Sequence, residues 1–178
     1  MHELLTTDII EYDVEDVFRA QRDHLAELVE FLPNVSDIEV RSREEVDGKV
    51  KLVNVWTAAR TEIPAVIRPF VKPEMMSWID YASWDERTLV CNWEIELGFL
   101  KEAVKCAGVN RMERTAEGHT AVIIEGKLSV DATKIPGVPK FMAKKVSSAV
   151  EAFVAKNITP NLKKTNDGVR KYLASRKS

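Results

Sequence analysis

The sequence predicts an α+β fold: a curved antiparallel sheet of about six to seven strands wrapped around one long C-terminal helix, with two short helices after the first strand. Three observations carry this. From Val35 to Val130 apolar residues alternate with polar ones at a period of two, broken by turn signals such as Asp47-Gly48. After Ile135-Pro136-Gly137-Val138-Pro139 the period changes to that of a helix and holds to the end. The charge divides at the same place. Residues 140–178 carry ten Lys/Arg against Glu151 and Asp167, while residues 1–139 carry sixteen against twenty-six, for a formal net charge of −2.

The elements follow in order. Residues 3–12 are β-prone. Asp13, with Asp16 three residues on, resembles a capping box, and Asp13, Glu15 and Asp16 suit the positive end of a helix. Val14, Val17 and Phe18 give one short helical stripe. Leu25, Leu28, Val29 and Leu32 give a second, stopped by Pro33-Asn34, so two short helices or one bent helix are expected. Ile38 and Val40 then alternate with charges into the hairpin pair Asp47-Gly48, and residues 50–58 return with Trp56 near their end. Pro64, Pro69 and Pro73 interrupt residues 61–73 too often for a central strand. That stretch still holds Ile63, Val66, Ile67, Phe70 and Val71, an apolar loop expected to pack over something.

Residues 75–84 form the next strand and Asp85-Glu86 its turn. In residues 87–97, Leu89, Cys91, Trp93, Ile95 and Leu97 share one face and Asn92, Glu94 and Glu96 the other, which sets the inward face. Strands over 104–114 and 119–130 follow, turned at Gly98 and Gly118. In the closing helix Met142, Val146, Val150, Phe153, Leu162, Val169 and Leu173 recur on one stripe. Pro160 is expected to kink it, and Gly168 to weaken its last turns by up to about 1 kcal/mol.

A chain of 178 residues can bury one core without staples, so one domain over 1–178 is expected. The net charge argues against nucleic-acid binding. No stretch reaches the roughly 20 apolar residues of a membrane span, and residues 1–13 contain no Lys/Arg, unlike a secretory signal. With only two cysteines, a reducing, cytoplasmic setting is expected. A hairpin turning near 98–103 sets Cys91 opposite about 110 and Cys106 opposite about 95, out of reach of a disulfide. No metal-ligand cluster, phosphate loop or Ser/His/Asp spacing occurs, and His2, His24 and His119 lie off the inward face, so no metal and no cofactor are expected.

The passage Glu30-Phe31-Leu32-Pro33-Asn34-Val35, Ile38-Glu39-Val40 and the hairpin Glu45-Val46-Asp47-Gly48 resemble the usual wording of the helix-grip (SRPBCC) superfamily. So do Gly126-Lys127-Leu128 and the later Pro136-Gly137-Val138 before the helix. That group includes START lipid-transfer domains, the birch-pollen-allergen family, polyketide cyclases and coenzyme-Q-binding proteins. The resemblance covers essentially the whole chain. It implies a pocket between the concave sheet and the long helix that accepts an apolar small molecule or lipid.

Trp56, Trp78, Cys91 and Trp93 on the strands and Phe141, Met142, Val146 and Phe153 on the helix are the expected ligand contacts. Binding or transport is the first reading, with no catalytic set. In the alternative, a polyketide cyclase or dehydratase type of enzyme uses the same pocket with Asp80 or Glu94 as acid or base. Asp80 shares a face with Met76, Trp78 and Trp84, but Met75, Ile79 and Tyr81 make an equally apolar opposite face. Were Asp80 inward, it would need a partner, such as Arg111 if that residue's own face turns inward, or its pKa would rise. A third reading docks the basic helix on a protein or an anionic membrane. Lys140, Lys144 and Lys145 sit at the helix's N-terminal end, against their dipole preference, and are the expected membrane contacts.

Overall fold

A computed structural model describes residues 1–59, 64–70 and 76–177. The elements run β1 (His2–Ile10), α1 (Val14–Asp23), a 3-10 helix (Leu25–Phe31), β2 (Val35–Val46), β3 (Lys49–Ala58), β4 (Ser77–Asp85), β5 (Val90–Glu96), β6 (Val104–Arg114), β7 (Thr120–Val130) and α2 (Ala143–Arg176). The described strands form one seven-stranded sheet in the order β1-β7-β6-β5-β4-β3-β2, with every pairing antiparallel. β2 to β7 are a meander of successive neighbours. The segment from β1 to β2 instead carries the chain from one sheet edge to the other through α1 and the 3-10 helix.

Local chemistry sets the boundaries. Asp13 is extended (φ −61°, ψ 144°) and its carboxylate accepts from the Glu15 N–H at 3.0 Å, capping α1. Arg114, at the end of β6, reaches the same cap through Asp13 and Glu15. Asp47 and Gly48 both take positive φ, 53° and 75°, and Val46 pairs with Lys49 across them, as a two-residue primed turn requires. The expected second helix forms as a 3-10 helix with Leu25 and Leu28 buried. Leu89 is not in a strand as expected. It sits at φ 55° in the turn before β5.

Inward side chains of the sheet, one face of α1 and the apolar stripe of α2 make one core around Phe18, Leu28, Val50, Val122, Leu128, Val146 and Val150. Helix α2 runs continuously through Pro160, which is exposed, so the carbonyl its ring deprives can turn to water. Gly168 has a packing reason: a Cβ there would lie 3.3 Å from Leu32 Cδ2, where the end of the 3-10 helix rests on α2. The same end of α2 is tied down by polar contacts. Gln21 donates to Asn166 at 3.2 Å, Asn166 donates to Asp8 at 3.3 Å, and Arg170 donates to Asp8 at 2.8 Å and to the Ile9 carbonyl at 2.6 Å. Thr61, Ile63, Val71, Pro73 and Met75, part of the expected apolar loop and the next strand, lie outside the described residues. No helix among the described residues is long and apolar enough to cross a membrane.

Candidate functional site: a cavity between sheet and helix

A cavity of about 350 Å³ lies between the inner face of the sheet and α2. From β3 to β6 its wall includes Trp56, Trp78, Trp84, Cys91, Trp93, Ile95 and Asn110. From α2 it includes Val150, Phe153, Val154, Ile158 and Leu162. Its volume falls in the range that holds small organic molecules.

The tryptophans are held by the register of the strands. Trp56 and Trp78 are direct partners on β3 and β4, and their rings stack with centroids 5.8 Å apart. Trp84 and Phe18 of α1 meet edge to face with ring centroids 5.1 Å apart. Trp93 depends on two glycines. Gly108 and Gly126 are partners on β6 and β7, and Gly108 also faces Trp93 on β5. A Cβ on Gly108 would come within 2.4 Å of Trp93 Cζ2, and one on Gly126 within 2.8 Å of Cη2. The missing side chains therefore leave a shelf on which the indole lies. There its Nε1 donates to Asn110 Oδ1 at 2.8 Å.

The polar part of the wall centres on Asp80. Its partner across β3 is Asn54, which is 0% exposed and donates through Nδ2 to Asp80 Oδ2 at 3.1 Å. The expected cation is absent from this pair: Arg111 faces outward and bonds Glu125 on β7. Burial without a positive partner pushes the Asp80 carboxyl up to about 6. The Asn54 hydrogen bond and the nearby Trp56 indole, which closes no hydrogen bond, offset this only in part. Asn54 Oδ1 and the Nε1 groups of Trp56 and Trp84 are buried with no hydrogen-bond partner among the described residues.

Cys91 and Cys106 are free and buried. Their partners are Asn110 and Ile95, matching the expected register. Burial raises the Cys91 thiol well above its ordinary value, with the Asp80 charge adding to it, so it is no ready nucleophile. Among the described residues no group of three His, Cys, Asp or Glu side chains is gathered to hold a metal ion.

Of the expected ligand contacts, Trp56, Trp78, Cys91, Trp93 and Phe153 stand on the cavity wall. Val146 is on the helix's inner stripe but is fully buried in core packing away from the wall, and Met142 is half-buried against the core, also off it. Phe141 is 88% exposed, which corrects its expected place. The reason is positional: Phe141 precedes Lys144 and Lys145 by three and four residues, so helical spacing sets it on their exposed face and not on the stripe of Met142 and Val146. Lys140, Lys144 and Lys145 are exposed beside it. Asp80 is inward, whereas Glu94 is exposed on the outer face of β5 and takes no part in the cavity.

Sequence reasoning missed Asn54, Asn110, Gln21 and Asn166. Asn54 did leave a signal, as the one polar residue in the inward set Val50, Leu52, Asn54, Trp56.

No protein-family model and no curated protein matches this sequence. Solved structures do match in fold. The protein TTHA0849 from Thermus thermophilus superposes with a TM-score of 0.65 at 18% identity, over 98% of this chain and 99% of that one. The Zhui aromatase/cyclase from a Streptomyces species gives 0.66 at 12% identity, over 97% and 95%. Norcoclaurine synthase from Thalictrum flavum gives 0.60 at 15% identity, over 97% and 86%. The chain has the helix-grip fold of these proteins. At such identities the likeness concerns the fold and not what is bound.

Proposed function

We propose that this protein binds a hydrophobic small molecule or lipid in the cavity between its sheet and α2. The observation that carries the reading is the cavity itself: four tryptophans and the apolar stripe of α2 line about 350 Å³ between sheet and helix. Protein interiors are otherwise packed to crystal-like density, so an apolar cleft of this size between sheet and helix departs from ordinary core packing. Native mass spectrometry of gently purified protein tests it. A co-purified small molecule, lost on organic extraction, is the expected result. Protein that stays at its bare mass and takes up no apolar probe overturns the reading.

A cyclase type of enzyme is the second reading, favoured by Asp80. A carboxyl that titrates at about 6 inside a cavity can both give and take a proton near neutral pH. The Zhui aromatase/cyclase and norcoclaurine synthase share this architecture. Incubation with a linear poly-β-ketone substrate tests it: cyclised product formed by the natural protein and lost in Asp80→Asn supports catalysis. Peripheral membrane contact through Lys140, Lys144 and Lys145 gains an apolar element from exposed Phe141 between them. Co-sedimentation with phosphatidylserine vesicles but not with phosphatidylcholine vesicles is the expected behaviour.

A further inference from the structure

We infer that the cavity selects an uncharged ring compound carrying a hydroxyl group, which it holds at Asp80, and that it rejects acids. This rests on the hydrophobic-ligand reading above and gives it a chemical class.

The charges on the wall come first. Among the described residues Asp80 is its only carboxyl group, and no Lys, Arg or His lines the cavity. A fatty acid or other carboxylate entering there would meet, among the described residues, a carboxyl group and no cation. The polar groups beside it narrow the choice further. Asn54 and the Trp56 Nε1–H flank Asp80 but are covered by neighbouring atoms, so Asp80 is the group a ligand meets there. An ammonium group could pair with Asp80 but would carry its charge against an otherwise uncharged wall. A carboxylate opposes Asp80. A hydroxyl brings no charge and can donate its O–H to Asp80. The stacked Trp56–Trp78 pair and Trp93 present broad aromatic surfaces to a planar ring.

Four bicyclic probes of matched size test this by titration calorimetry at pH 7: naphthalene, 2-naphthol, 2-naphthoate and 2-naphthylmethylamine. The expected result is that 2-naphthol binds about tenfold tighter than naphthalene, as one added hydrogen bond to a partly desolvated carboxyl allows, and 2-naphthoate at least tenfold weaker than 2-naphthol. In Asp80→Ala, checked for native circular dichroism, the naphthol preference should shrink to less than threefold while naphthalene binding holds. Asn54→Ser gives a second variant should Asp80→Ala not fold. Equal binding of all four probes overturns the inference and leaves the hydrophobic-cavity reading standing. A preference for the amine overturns it in favour of a cationic ligand. Binding of none, naphthalene included, overturns the cavity reading and this inference with it.

Discussion

Replacing Asp80 with asparagine should stabilise the protein at pH 8 and leave it unchanged near pH 3.5. Burial raises the Asp80 carboxyl from an ordinary 3.8 to about 6. Each pKa unit is worth about 1.4 kcal/mol, so the charged side chain costs the native state about 2–3 kcal/mol. The sign follows from proton linkage. The native protein holds this proton more tightly than the unfolded chain does, so the group's contribution to stability falls as pH rises from about 4 to about 6. The cost is complete above that window and absent below it. Asparagine has nearly the same shape, keeps an oxygen for the Asn54 Nδ2 donor, and carries no charge at any pH.

The difference in unfolding free energy between Asp80→Asn and the natural protein should therefore be near zero at pH 3.5. It should climb between pH 4 and 6 and level off at about 2–3 kcal/mol above pH 7. Urea unfolding at a series of pH values, followed by tryptophan fluorescence and far-UV circular dichroism, measures it. Carboxylates elsewhere titrate in both proteins and cancel in the difference. A difference that does not vary with pH, or one that favours the natural protein at pH 8, would refute the claim that Asp80 is desolvated without a cation.

Alanine at Gly108 should destabilise more than alanine at Gly126. At 108 the new Cβ would lie 2.3 Å from the Glu125 carbonyl oxygen, which is backbone, whereas at 126 its nearest neighbour is the Trp93 ring at 2.8 Å. A cost of about 3 kcal/mol or more against about 1–2 kcal/mol is expected from urea midpoints, with the Trp93 near-UV signal altered in both. Leu28→Ala, at a fully buried position between the 3-10 helix and the core, should cost about 2–5 kcal/mol in the same assay. Phe141→Ser should leave the urea midpoint within about 0.5 kcal/mol of the natural protein, since the side chain it removes is 88% exposed.

How much of this was legible in the sequence depended on whether the deciding contact was local. Asp47-Gly48 specifies its own turn, and the period-two runs place β6 at 104–114 as found. Counting from one turn also put Cys91 opposite Asn110. β4 was different, because Trp78 and Trp84 on one face and Ile79 and Tyr81 on the other are equally apolar. The pattern had no preferred side. Pairing across two neighbours settles it: Asn54 on β3 and Ile95 on β5 both fall opposite Asp80, and both face the cavity. The cavity is less legible still, since it is a volume left unfilled. It requires an indole from β5, glycines from β6 and β7, and an asparagine two residues past one of them, and no segment of sequence contains that set. Phe141 shows the opposite failure. Its spacing to Lys144 and Lys145 puts it on their exposed face, one residue out of step with the stripe that starts at Met142. A polar residue on an otherwise apolar strand face, as Asn54 is, survives both difficulties. Its burial is signalled by its neighbours at i−2 and i+2, and its need for a partner points across the sheet to Asp80.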